Sequence, residues 1–365
     1  MADHAGARRP FVFPARWTAS YRLQAVAADG DAREAGLAGI QLDITVRVDA
    51  AAFGGEGYTS GDSGGDMNVR GIRLVVAAAV IALVAAAAPA WALKVYISVD
   101  MEGVSGVVDG SQVVEDGRDY AAARRWMAED VNAVIAGLLS AGATEIVVND
   151  SHGGMRNLLP DSLHPKASLI SGTPKPLTMM AGIDETFDAV VFVGYHAAAG
   201  TARAILDHTI AGRAVSRITV NGTEMPELGL NAAIAGEFGV PVILVTGDTA
   251  TAEQARALLG EQVVTVAVKE SFGRNAARLL PMDEARRRLE EGARRALANR
   301  SRITRYCLDA PFRFEVTFLT SAQAELGELI PGVERTDART LTFTAEQFTG
   351  GFKLLRALIA LGAGR

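Results

Sequence analysis

Two acids, Asp100 and Glu102, close the stretch Tyr96-Ile97-Ser98-Val99-Asp100-Met101-Glu102-Gly103, one residue apart at the end of an apolar run. Such a run is normally buried in a parallel sheet, so acids at its end either meet water or line a site. Two later runs end on histidine: "EIVVNDSH" on His152 and "DAVVFVGYH" on His196. His208 follows in "ILDHTI", and of the five histidines in the chain the other two are His4, near the start, and His164, expected in a surface loop before Pro165. Taken singly, these residues have plainer explanations: Asp100 as a cap, His152 as a loop residue, His196 as a hydrogen-bonded core histidine. Taken together, imidazoles and carboxylates at successive strand ends suit zinc or a similar divalent ion. Glu227 adds a fourth segment at the start of a helix, with Asn231 one turn later on the same face, although an acid there also complements the helix N-terminus.

The elements that must position these residues alternate. Apolar runs at "KVYISVD", "EIVVND", "DAVVFVGYH", "VPVILVTGD" and "VVTVAVKES" each end in polar residues. Between the first two, Met127, Val131, Val134, Ile135, Leu138 and Leu139 share one helical face, and Gly142 is placed to stop that helix. Asn221-Gly222 signals a tight hairpin, and Pro226 suits the start of the helix through "ELGLNAAIAGEFG". This predicts an α/β fold, a mostly parallel sheet sandwiched by helices, in which ligands bind beyond the carboxyl ends of the strands. From about residue 276 the pattern changes to a charged helix, "MDEARRRLEEGARRALANR", then "FRFEVTFL", "TLTFTA" and a closing helix. We expect a catalytic core over 93–275 and a smaller C-terminal α+β subdomain over 276–365.

The 365 residues carry a net charge of −6 with acids and bases interspersed, so nothing points to nucleic acid. The single cysteine, Cys307, excludes an internal disulfide and a cysteine-built zinc site, and reads as a core thiol. From Met67 the chain has the layout of a secretory signal peptide. Arg70 and Arg73 supply the charge, Leu74 to Ala88 the apolar stretch, and Ala90-Trp91-Ala92 the cleavage site. We therefore expect 67–92 to be a signal peptide, with the mature chain periplasmic or secreted and not inserted in the membrane after cleavage. Residues 1–66 are expected to be a non-native or disordered extension, with Met67 the true initiator.

The motifs "SVDMEG", "NDSH", "GYHA" and "ELGLN", in this order and at these separations, resemble the zinc D-aminopeptidases encoded in bacterial dipeptide-transport operons. The resemblance runs from Leu93 to the closing helix and includes "LHP", "LISG" and "VPVILVTGD". It implies a dinuclear zinc centre held by Asp100, Glu102, His152, His196 and Glu227, with two Zn2+ per chain. It implies a further catalytic histidine at His208, although the loop from His196 to His208 is one residue longer here. It also implies short peptides with an N-terminal D-residue, such as D-Ala-D-Ala, as substrates, hydrolysis by a metal-activated water, and a homo-oligomer, a ring-like decamer. Two rival readings are another dinuclear metallohydrolase, such as a phosphoesterase or amidase, and a non-enzymatic periplasmic binder of peptide or metal. A phosphoesterase would open on Asp-x-His and carry an Asn-His strand end, whereas this chain has Asp-x-Glu and Tyr-His.

Overall fold

The computed structural model describes residues 92–364, together with the backbone of two short strands, Ser20–Leu23 and Leu42–Thr45, which pair antiparallel. Residues 1–88 group as one unit and 89–365 as another. The expected signal peptide lies outside the described residues but for its last residue, as does most of the expected extension. Among the described residues no helix is long and apolar enough to cross a membrane.

The second unit is built on a seven-stranded sheet. Its strands are β1 (Lys94–Val99), β2 (Glu145–Asp150), β3 (Ala167–Ile170), β4 (Ala189–Val193), β7 (Val242–Asp248), β8 (Val264–Gly273) and β9 (Ala276–Leu279). The order across the sheet is β9-β8-β7-β4-β1-β2-β3, parallel except for β9. β1 is central, and β1 and β4 are buried nearly throughout, which is why they read as continuous apolar runs rather than alternating ones. One face is covered by α1 (Tyr120–Ser140) and α4 (Met282–Ala298), which also pack on each other. The apolar stripe expected on α1 is buried except for Leu139, which is partly so, and Gly142 takes the left-handed φ of +99° just past its end.

The other face meets a second layer. It contains β5 (Val215–Val220), β6 (Thr223–Glu224), β10 (Phe312–Phe318), β11 (Glu334–Arg335) and β12 (Thr340–Ala345), in the antiparallel order β11-β12-β10-β5-β6. With it go α2 (Glu227–Glu237) and α6 (Phe348–Gly362), which share one apolar core with the near face of the large sheet. α3 (Thr249–Leu259) follows β7, and α5 (Ser321–Glu325) follows β10. The hairpin turn at Asn221-Gly222 is as expected: both residues have positive φ (+51° and +81°), and β5 pairs with β6 across it.

Two expectations need correction. The division at residue 275 does not follow the layers, because β5, β6 and α2 precede it yet belong to the second layer, while α4 follows it and covers the first sheet. The α+β portion is therefore drawn from both sides of that residue. Cys307 is exposed rather than a core thiol, because it lies on the connector between α4 and β10, which crosses the surface.

The α1–α4 contact depends on Gly137, where an added Cβ would sit 2.1 Å from the Glu290 carbonyl oxygen. Gly137→Ala should push the helices apart and destabilise the fold by about 1–3 kcal/mol, read as a lower denaturant midpoint with the slope unchanged.

Candidate metal centre

The carboxyl edge of the large sheet brings the predicted residues together. Asp100 follows β1 directly, His152 lies two residues past β2, and His196 lies three past β4, so adjacent strands deliver three of the segments. Glu227 is the first residue of α2, behind Pro226. His152 Nδ1 lies 3.1 Å from Asp100 Oδ1 and 3.1 Å from Glu102 Oε2. His196 Nε2 lies 3.3 Å from Asp100 Oδ2 and 3.4 Å from Glu227 Oε1. His208 Nε2 is 3.7 Å from the same Glu227 oxygen, and its ring stacks on His196 with centroids 4.0 Å apart. His164 stands apart in the turn before β3, its Nδ1 accepting from the Lys166 amide at 3.2 Å.

Each imidazole is oriented by its other nitrogen. His152 Nε2 donates to the Val113 carbonyl (2.6 Å), His196 Nδ1 to that of Ala197 (3.0 Å) and His208 Nδ1 to that of Leu206 (2.8 Å). This is how metal-binding histidines are commonly held, and it leaves the inward nitrogen with its lone pair. The inward atoms then meet the test of fit. Asp100 Oδ2 and His196 Nε2 are fully buried, face each other, and have no hydrogen-bond partner among the described residues. A buried polar atom without a partner is costly, and a nitrogen and carboxylate donor set is the one zinc takes. Asp100, Glu102 and His196 form one group able to hold an ion, and His196, His208 and Glu227 another.

The electrostatics agree. Burial and the neighbouring Glu102 raise the Asp100 pKa. Burial works against the charged forms of Glu102 and Glu227, but the imidazoles beside them hold both carboxylates below their usual range. In return, and against burial, the carboxylates drive His152 and His196 well above the usual imidazole value. Positive charge is what this cluster stabilises, and a divalent cation supplies it.

The supporting residues were largely silent in the sequence. Lys269, buried on β8, donates to three backbone carbonyls of the loop after β1: Glu102 (2.5 Å), Val104 (2.9 Å) and Val107 (2.6 Å). Burial lowers its pKa to about 7, while three carbonyls, one for each ammonium proton, favour the protonated form. Asp130 of α1 accepts from the Ser105 amide at 2.8 Å and ties the same loop from the other side. Asp150, beside His152 in sequence, shapes the loop instead of joining the cluster, accepting from the amides of Asn157 (2.6 Å) and Leu158 (2.7 Å). Below the cluster, Ser98, Ser151, Tyr195 and Asn231 form a buried hydroxyl and amide network that fixes α2 against β1 and β4. Gly103 allows the two ligand loops to touch: its amide donates to the Gly194 carbonyl (2.8 Å), and a Cβ would lie 2.0 Å from the Tyr195 carbonyl oxygen.

The D-aminopeptidase family (peptidase M55) matches residues 93–357. The chain belongs to this family. A D-aminopeptidase of Bacillus subtilis (strain 168) is 39% identical over 272 residues, which is 74% of this chain and 97% of the relative. The solved structure of the Zn-dependent D-aminopeptidase DppA from Bacillus subtilis, described as a self-compartmentalizing protease, superposes with a TM-score of 0.72. It is 36% identical and the match covers 74% of this chain and 98% of that one. The M55 assignment bears out the resemblance read from the motifs and sets aside the phosphoesterase and binding-protein readings.

Asp130 generates a prediction about pH. Burial is the main cause that raises its pKa from 3.8 to about 6, so between those values the folded chain holds a proton that the unfolded chain has lost. Stability contributed by that proton is present below the unfolded value and is lost as pH rises through the folded one. Asp130→Asn should keep the Ser105 contact, flatten the fall in stability between about pH 4 and 6, and be no less stable than the parent at pH 7.5. The difference should be on the order of 3 kcal/mol at most, measured by urea unfolding across that range.

Proposed function

We propose that this M55 chain is a zinc-dependent aminopeptidase that removes the N-terminal D-residue from short peptides. The observation that carries the reading is the convergence of Asp100, Glu102, His152, His196 and Glu227 at the carboxyl edge of the sheet, with orphaned polar atoms turned inward. Bound zinc supplies a Lewis acid for the scissile carbonyl and brings the pKa of a coordinated water toward neutrality. Asp100 turns Oδ1 toward His152 and Oδ2 toward His196, and with those imidazoles, Glu102 and Glu227 it would hold the metal. Glu227 is steadied by the Ile210 amide, which donates at 2.6 Å to Oε1, the oxygen that also approaches His196 and His208.

His208 has a different part. His208 lines the cavity, and with Nδ1–H held by the Leu206 carbonyl, Nε2, 3.7 Å from Glu227 Oε1, is the nitrogen left to take part in proton transfer. We assign it the transfer of that proton to the leaving amine, or in its charged form the support of the developing oxyanion. Family membership and the Bacillus subtilis relatives support the preference for a D-residue. Export is part of the proposal, supported by the basic, apolar and small-residue sequence over 67–92, and would bring the enzyme close to D-residue peptides released from the cell wall. So is assembly into a closed homo-oligomer, supported by the description of DppA as self-compartmentalizing.

His208→Ala should retain two zinc ions per chain by elemental analysis while D-Ala release falls by about 100-fold or more. Glu227→Ala and His152→Ala should lose metal as well as activity. Undiminished turnover in His208→Ala would remove its proton-transfer role, and loss of one zinc would make it a ligand. For the exported protein, N-terminal sequencing should find Leu93 first, and native mass measurement should find a multiple of the single-chain mass. A mature start before Met67 would overturn the signal-peptide assignment, and a monomer the assembly.

A further inference from the structure

The closing helix α6 reaches the metal cluster. Phe352 and Arg356 are one turn apart on the same helical face, and both line a cavity of about 150 Å3 with His152, His208, Glu227 and Met179. The Nε of Arg356 is buried and has no hydrogen-bond partner among the described residues. Burial disfavours its charge, and Glu227 is the group that opposes this. A guanidinium stays protonated even so, and its planar fork is shaped for a carboxylate. An arginine placed without a matched acceptor inside a catalytic cavity is unfavourable until an anion arrives.

The reaction names the anion. In a short peptide whose amine and first carbonyl lie at the metal cluster, the remaining charge is the carboxylate at the other end. The cavity is well below the roughly 300–1,000 Å3 of sites that take drug-sized ligands, so a small substrate spans it. We propose that Arg356 receives the C-terminal carboxylate of a di- or tripeptide and so restricts the enzyme to short peptides whose carboxylate is free. Met179 and Phe352 then supply the apolar walls between the two charged ends. The proposal rests on the D-aminopeptidase reading and adds to it the residue that measures substrate length.

The test compares D-Ala-D-Ala with its C-terminal amide on the zinc-loaded enzyme and on Arg356→Met, with kcat and KM determined separately. The parent should prefer the free acid in kcat/KM by on the order of 10- to 100-fold, the value of a charge-assisted contact. Arg356→Met should lose that factor on the acid and leave the amide unchanged, and Arg356→Lys should recover part of it. Equal losses on acid and amide would make Arg356 a structural residue and overturn the proposal, as would a parent enzyme that does not distinguish the two. If Arg356→Met does not fold, by circular dichroism and zinc content, the acid-to-amide ratio of the parent decides alone. A parent that releases D-Ala from neither compound would remove the D-aminopeptidase reading and this proposal with it, a result distinct from equal turnover of both.

Discussion

Three carboxylates, Asp100, Glu102 and Glu227, are buried together with His196 and against the part-buried His152, and the rest of the molecule is arranged around the cost of keeping them there. Removing like charges from water is unfavourable unless opposite charge and hydrogen bonds are supplied in the same place. The imidazoles and the backbone amides supply part of this. The inward-facing Asp100 Oδ2 and His196 Nε2 show what kind of partner completes it. A divalent ion is at once the compensation for that burial and the reagent, so the chemistry and the stability of this corner of the fold cannot be separated.

The fold meets this demand through rigidity on all sides. The parallel sheet sets three segments of the cluster side by side because β4, β1 and β2 are neighbours. The loop that carries Glu102 is held by Lys269 from β8 and by Asp130 from α1. α2, which carries Glu227, is fixed by Asn231 to Tyr195, and Tyr195 to Ser98. The tethers are buried and polar, and all but Asp130, whose Oδ1 has no partner among the described residues, are satisfied, which is how a binding geometry is kept before its ligand arrives.

The convergence of Asp100, Glu102, His152 and His196 was legible in the sequence because an apolar run that breaks off into acids or histidine marks the carboxyl end of a buried strand, and such ends converge in this topology. Asn221-Gly222 and the stripe on α1 were legible for similar local reasons. Lys269 was not, since its partners are backbone carbonyls, which leave no trace in residue types. Arg356 was hidden in an apolar helix, where only the placement of α6 over the cavity decides which way its side chain points. The buried face of α4 is made largely of Ala285, Gly292, Ala293 and Ala296, so charge dominated its appearance and its packing on α1 went unread. The limits of the second layer were equally hidden, because nothing in β5 itself states which sheet it joins.

The contact at Gly103 has a further consequence. The loop bearing Asp100 and Glu102 and the loop bearing His196 meet backbone to backbone, with Gly194 at φ +69° and no room for a side chain at either glycine. Neither segment can drift without displacing the other. A substitution that shifts one loop is therefore felt at the other, so the carboxylates of the first and the imidazole of the second respond to it together.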